Sequence, residues 1–155
     1  MYVFDTNVFH ALTIITPKTF PTIWKRVDDL VHEGKLWSVR EVRRELNNNC
    51  PSHHIEDWIK SHTRIFKRPT DKELHIVSEI FKRPQYLGLV KRQNLLKGLP
   101  VADPFIVASA KIHKAYVVTQ EARVKNGARI PNVCIDFGVD CINLEQFFEK
   151  ENIKY

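Results

Sequence analysis

Apolar positions along this chain follow two patterns. Some form short continuous runs, and others form stripes repeating every three or four residues. A continuous run bounded by turn residues marks a buried strand, whereas the stripe marks one face of a helix. Tyr2-Val3-Phe4 reads as a short strand ending at Asp5. Phe9 to Ile15 reads as a first helix, and Pro21 sits near the start of a second that carries Ile23, Val27, Leu30 and Val31 on one face until Gly34 stops it. Leu36-Trp37-Ser38 is a brief extended segment, and Ser38 is placed to cap a helix bearing Val42 and Leu46. That helix ends in Asn47-Asn48-Asn49-Cys50-Pro51, which is turn chemistry.

The middle of the chain reads as helical throughout. Ser52 can cap a segment with Ile55, Trp58 and Ile59 inward. Thr70 and Glu73 have the spacing of a reciprocal cap ahead of Leu74, Val77, Ile80 and Phe81, and Pro84 ends the run. Tyr86, Leu87, Val90 and Leu95 suggest another helix, closed by Gly98 and Pro100. Asp103-Pro104 then has the form of an N-cap followed by Pro at the first helical position, opening a helix apolar nearly all round. Tyr116-Val117-Val118 resembles a central parallel strand, Val133-Cys134-Ile135 is a further strand candidate, and Asn143 can cap a last helix through Leu144, Phe147 and Phe148.

Strands alternating with helices predict an α/β fold: a short central parallel sheet flanked by helices in three layers, as one domain over residues 1–155. In such sheets the functional site lies beyond the carboxyl ends of the strands. Asp5 and Glu121 fall at or just past such ends, and Asp103 heads a helix entering from the same edge.

Composition narrows the class. The chain is 43% hydrophobic and 27% charged, an ordinary globular balance that argues against disorder and against a coiled coil. No apolar run approaches the ~20 residues needed to span a bilayer, so no membrane partner is expected. MYVFDTN lacks the basic region of a signal peptide and reads as the first strand. Three cysteines without CxxC spacing fit a reduced, cytoplasmic protein better than a disulfide framework or a zinc site. His53, His54 and His62 show no zinc-module spacing either. Trp24, Trp37 and Trp58 could stack on bases, but the apolar stripe favours the core.

The formal charge is +6, and the excess is concentrated between Lys60 and Lys97. That stretch suits the backbone of a polyanion, or else a solubilising helical surface. Arg44, Lys91, Arg92 and Lys97 are candidate phosphate contacts.

Four acids carry the candidate chemistry: Asp5 in YVFDTN, Glu45 in VRREL, Asp103 in VADPF and Glu121 in VVTQE. Each also has a local use. Asp5 could form a turn with the Thr6-Asn7 backbone, Asp103 could only cap its helix, and Glu121 could be a loop acid. Glu41 competes with Glu45 one turn earlier. If the fold gathers them, carboxylates ~5 Å apart repel by about 3 kcal/mol per pair at an effective dielectric near 20, which calls for a cation or raised pKa values. Hard oxygen donors of this kind suit Mg²⁺ or Mn²⁺.

Taken together, Asp-Thr-Asn after a first strand, Glu-Leu late in an early helix, Ala-Asp heading an Ile- and Ala-rich helix, and Val-Thr-x-acid after a strand resemble the PIN domain family. The fourth acid is usually Asp in that family and is Glu121 here, and the Ile130-Pro131-Asn132-Val133-Cys134 stretch is similar to a less-characterised PIN-like branch. The resemblance implies a Mg²⁺- or Mn²⁺-dependent endoribonuclease, with Asp5, Glu45, Asp103 and Glu121 as catalytic and metal residues. Thr6, Asn7 and Thr119 would hold the carboxylates or waters in place. It further implies a toxin of the VapC type in a type II toxin–antitoxin system, with an RNA substrate, a protein antitoxin and a homodimer as expected partners. Two alternatives keep the fold: a catalytically silent module binding RNA or protein, and a metal-dependent DNA or structure-specific nuclease.

Overall fold

The computed structural model describes residues 1–89 and 101–153. Along the chain run β1 (Tyr2–Phe4), α1 (Thr6–Ala11), α2 (Pro21–His32), β2 (Leu36–Val39), α3 (Arg40–Asn48), α4 (His53–Ser61), β3 (Phe66–Lys67) and α5 (Asp71–Phe81). After these come α6 (Asp103–His113), β4 (Tyr116–Val118), α7 (Ile130–Phe137), β5 (Cys141–Ile142) and α8 (Leu144–Lys150). Single 3₁₀ segments occupy Leu12–Ile14, Thr63–Ile65 and Pro84–Leu89.

Among the described residues five strands form one sheet in the order β3-β2-β1-β4-β5, with every pairing parallel. Because β1 is central, chain reversals on either side of it bring the ends of β1, β2 and β4 to one edge. Side chains alternate across a strand, which sorts the aromatic residues between the two faces. Tyr2 and Phe4 meet Phe147 of α8 edge-on, at 4.8 and 5.2 Å between ring centroids, and Phe4 also meets Phe9 of α1. Trp37, in register with Val3, faces the other way and donates its indole N–H to Ser109 Oγ of α6 at 3.0 Å. Helix α6 packs on β1, β2 and β4, with α5 and α7 stacked against it. The result is a three-layer α/β sandwich.

Several local expectations are met by backbone chemistry. Thr70 with Glu73, and Asn143 with Gln146, form complete reciprocal caps on α5 and α8. Trp24, Trp37 and Trp58 are all buried.

Other expectations are corrected. The first helix begins at Thr6, because Asp5 supplies its cap, and it tightens to 3₁₀ geometry from Leu12. The Ser38 hydroxyl does not cap α3; it donates to the Phe4 carbonyl at 2.7 Å, tying β2 to β1. Asp103 is not the N-cap of its helix but its first residue, after Ala102. Ser52 holds the N-cap position of α4, yet its hydroxyl pairs with His54 Nδ1 instead of the helix backbone. Leu74 is 45% exposed although it shares a helix with the buried Val77 and Ile80. Phe66–Lys67 forms a strand where only helix was expected.

The segment holding Val133, Cys134 and Ile135 is helix α7, not a strand. Ile130, Val133 and Cys134 are buried at helical spacing while Ile135 is 56% exposed, and Gly138 closes the helix at φ 64°. The fifth strand lies beyond it at Cys141–Ile142. Pro84–Leu89 is a 3₁₀ segment, and the remainder of the helix expected there, with Val90, Leu95, Gly98 and Pro100, lies outside the described residues.

Candidate metal centre

A cleft of about 560 Å³ opens at the carboxyl edge of the sheet. Its walls include Asp5, Glu45, Asp103 and Glu121 together with Thr6, Asn7, His10 and Arg129. Four acids distant in sequence therefore share one cavity, delivered by the end of β1, the body of α3, the first turn of α6 and the loop after β4. Of the competing pair in α3, Glu45 reaches the cleft, whereas Glu41 is buried and paired with Arg40 at 3.0 Å. Lys91, Arg92 and Lys97 lie outside the described residues, and Arg44 is exposed on α3 away from the cleft walls.

Each carboxylate is held differently. Asp5 Oδ1 accepts from the Thr6 amide at 2.6 Å, which caps α1, and Oδ2 accepts from the Thr119 hydroxyl at 2.8 Å. Glu45 Oε2 accepts from the Thr6 hydroxyl, and Oε1 accepts from the Ala102 amide at 3.1 Å. Asn7 Oδ1 accepts the Gln120 amide at 2.9 Å, pinning the loop after β4 to α1. Glu121 has a cation for one of its two donors. Arg129 donates to Oε1 at 3.2 Å and the Ile130 amide, opening α7, donates to Oε2 at 2.9 Å. No side-chain donor among the described residues reaches Asp103.

Among the described residues, Arg129 is the one cation in ion-pair contact with any of the four acids. Electrostatic strain follows. Burial pushes the Asp5 carboxyl up to about 7, assisted by the charges of Glu121 and Glu45 and opposed by its two hydrogen bonds. Burial raises Asp103 well above its ordinary value, and repulsion from Asp5, Glu121 and Glu45 adds to it. Glu45 is raised by burial too, against hydrogen bonds from Thr6 and the Ala102 amide.

The donor set consists of hard carboxylate oxygens, which suits Mg²⁺ or Mn²⁺ and not a thiolate-seeking metal. Among the described residues no group of three or more His, Cys, Asp or Glu side chains is gathered closely enough to hold a metal ion. The four carboxylates line one open cleft without converging on a single point.

His10 and Arg129 were missed by sequence reasoning. His10 lies five residues beyond Asp5, on the cleft side of α1, and nothing marked it except its helical phase. Arg129 precedes the run read as a strand, so its place at a helix N-terminus was hidden.

The parallel sheet and its covering helices make a three-layer α/β fold of PIN-like arrangement. Over residues 2–155 the chain matches, and belongs to, the family described as a domain of unknown function (DUF4411). A solved structure of similar fold is the crystal structure of FitAcB from Neisseria gonorrhoeae, 16% identical, covering 92% of this chain and 97% of that chain with a TM-score of 0.50. No curated protein matches. Among the described residues no helix is long and apolar enough to cross a membrane.

Proposed function

We propose that the protein is a Mg²⁺- or Mn²⁺-dependent endoribonuclease acting as the toxin of a type II toxin–antitoxin system in the cytoplasm. One observation carries this reading: four carboxylates from four separate elements line one cleft, and Asp5, Glu45 and Asp103 have no ion-pair partner there among the described residues. Buried negative charge left without a partner is costly unless a cation neutralises it.

Asp5, Glu45, Asp103 and Glu121 line the cleft and would hold the ion once their side chains turn toward it. Bound there, it would supply Lewis acidity at the phosphodiester and acidify a water. Thr119 and the Thr6 amide orient the Asp5 carboxylate, and the Thr6 hydroxyl and Ala102 amide orient Glu45. Arg129 and His10 stand beside the acids as donors toward the substrate's phosphate oxygens. The products expected from the PIN-domain resemblance are a 5′-phosphate and a 3′-hydroxyl. The resemblance to VapC-type toxins makes a protein antitoxin and a second copy of the chain the expected partners.

A catalytically silent module that binds RNA or protein is the second reading. It draws support from Glu121, which stands where the PIN family usually has Asp and is already neutralised by its ion pair with Arg129.

The test incubates purified protein with a mixed RNA pool and Mn²⁺, beside Asp5→Asn and Asp103→Asn variants, with parallel DNA substrates and an EDTA control. Cleavage of RNA by the wild type alone, lost in EDTA, supports the nuclease. RNA binding that persists in EDTA with no cleavage supports the silent module. Equal cleavage by wild type and variants removes the acidic cleft from the reaction.

A further inference from the structure

A second groove, of about 400 Å³, lies between α7 and β5 and adjoins the acidic cleft. Glu121 lines both cavities. Thr119, whose hydroxyl donates to Asp5 Oδ2 at 2.8 Å, lines the second groove as well, so a single hydrogen bond joins its wall to the cleft. A strand lying in the cleft and leaving past Glu121 runs into this groove.

The apolar part of its lining is Pro131 and Ile135 of α7 with Val139 and Ile142. Ile135, exposed although its neighbours Val133 and Cys134 are buried, thus belongs to a cavity wall. Around it stand polar side chains whose orientation the fold fixes. Asn143 Oδ1 accepts the Gln146 backbone amide at 2.8 Å, and Gln146 Oε1 accepts the Asn143 backbone amide at 2.9 Å. Both carboxamide oxygens are spent in this way. The two NH₂ groups have no partner among the described residues and are the atoms left to face the groove. The backbone amides of the turn are spent too, since that of Leu144 donates to Gln120 Oε1 at 3.0 Å.

Arg123 adds a guanidinium that no ion pair engages among the described residues. Two acids share the lining: Glu121, already paired with Arg129, and the exposed Asp140. Asp140 opposes a phosphate on the apolar wall and leaves that place to a neutral group. An apolar wall rimmed by oriented amide donors, with a guanidinium beside it, fits an unstacked nucleobase and its phosphate, the form in which single-stranded RNA is read.

We infer that the second groove is a nucleotide subsite for the RNA strand whose phosphodiester lies in the acidic cleft. The base rests on Ile135 and Ile142 with its carbonyl oxygens toward Asn143 Nδ2 and Gln146 Nε2, and Arg123 takes the phosphate. The inference rests on the reading of the cleft as a site for RNA, and it makes Gln146 a residue that sets base preference.

The test reads binding of fluorescein-labelled single-stranded RNA by anisotropy in Mn²⁺, on the full chain carrying Asp103→Asn so that the strand stays intact. Adding Arg123→Gln should weaken binding and lower the slope of log affinity against log salt by ~0.7, the loss of one phosphate contact. Gln146→Glu keeps an oxygen for the Asn143 amide, and with it the reciprocal cap, yet replaces the donor facing the groove with an acceptor. It should melt no lower than its parent and bind oligo(U) roughly 3- to 10-fold more weakly, the cost of one hydrogen bond. Preference should shift toward oligo(C), whose base offers an amino group where uracil offers a carbonyl. A purely structural Gln146 would leave the ratio of the two affinities in place.

Should Gln146→Glu melt lower, Arg123→Gln decides alone. An unchanged salt slope in Arg123→Gln, or an unchanged ratio in a folded Gln146→Glu, overturns the subsite. RNA cleavage by the wild type in Mn²⁺, measured alongside, leaves the nuclease reading standing in that case. Both shifts present without wild-type cleavage keep the subsite and sink the nuclease reading alone.

Discussion

The Thr119 hydroxyl, at the end of β4, donates to Asp5 Oδ2, at the end of β1, at 2.8 Å. This bond joins the two central strands at the point where their chains leave the sheet. It also orients a carboxylate that is only 2% exposed and has no cationic partner among the described residues.

Thr119→Val removes that donor while keeping the shape of the side chain. Mn²⁺ affinity, read by calorimetry, should weaken by roughly 10- to 100-fold, the usual cost of losing a group that orients a metal ligand. Unchanged affinity would show that the Thr6 amide alone orients Asp5.

Asp103→Asn should separate function from stability. Turnover should fall at least about 100-fold, since a ligand contributes no less than the groups that orient it. Thermal unfolding in EDTA should move to a higher temperature, because the substitution removes a charge that Asp5, Glu121 and Glu45 oppose. A lower melting temperature in EDTA would show that repulsion in the cleft is not significant.

Metal-free stability should depend on pH through Asp5. Its folded pKa of about 7 lies above the ordinary value of 3.8, so the unfolded chain gives up this proton more readily. The contribution is complete below pH ~4 and is lost as pH rises through about 7. Denaturant midpoints measured in EDTA should therefore fall between pH 5 and pH 8, by a smaller amount in Asp5→Asn. Saturating Mn²⁺ should restore the midpoint at pH 8, since an ion that binds only the folded state stabilises it.

Phe147→Ala tests the core beneath the site. Phe147 is completely buried and meets both Tyr2 and Phe4 edge-on. A loss of about 3–5 kcal/mol is expected in equilibrium unfolding. A loss below about 1 kcal/mol would mean that α8 is not a structural wall of the central strand.

Residue patterns exposed much of the architecture where an element was long or well punctuated. The Thr70–Glu73 and Asn143 caps, the Pro21 helix start and the Tyr116-Val117-Val118 strand are all encoded within a few neighbouring residues. Elements of two residues, β3 and β5, fall below any periodicity. The run at Val133 is ambiguous in isolation, because three apolar residues fit a buried strand and a helix face equally. Burial of Ile130 beside Val133 and Cys134 settles it as helix, and that burial is a tertiary fact.

By itself, then, the sequence determined the α/β alternation, the Thr70 and Asn143 helix caps and the acids Asp5, Asp103 and Glu121, since these rest on local spacing and side-chain chemistry. Only the folded chain decided that Glu45 and not Glu41 enters the cleft, and that Arg129 and the Ile130 amide engage Glu121. Those relationships depend on strand order and helix rotation. Both are set by packing between segments far apart along the chain, which no local window contains.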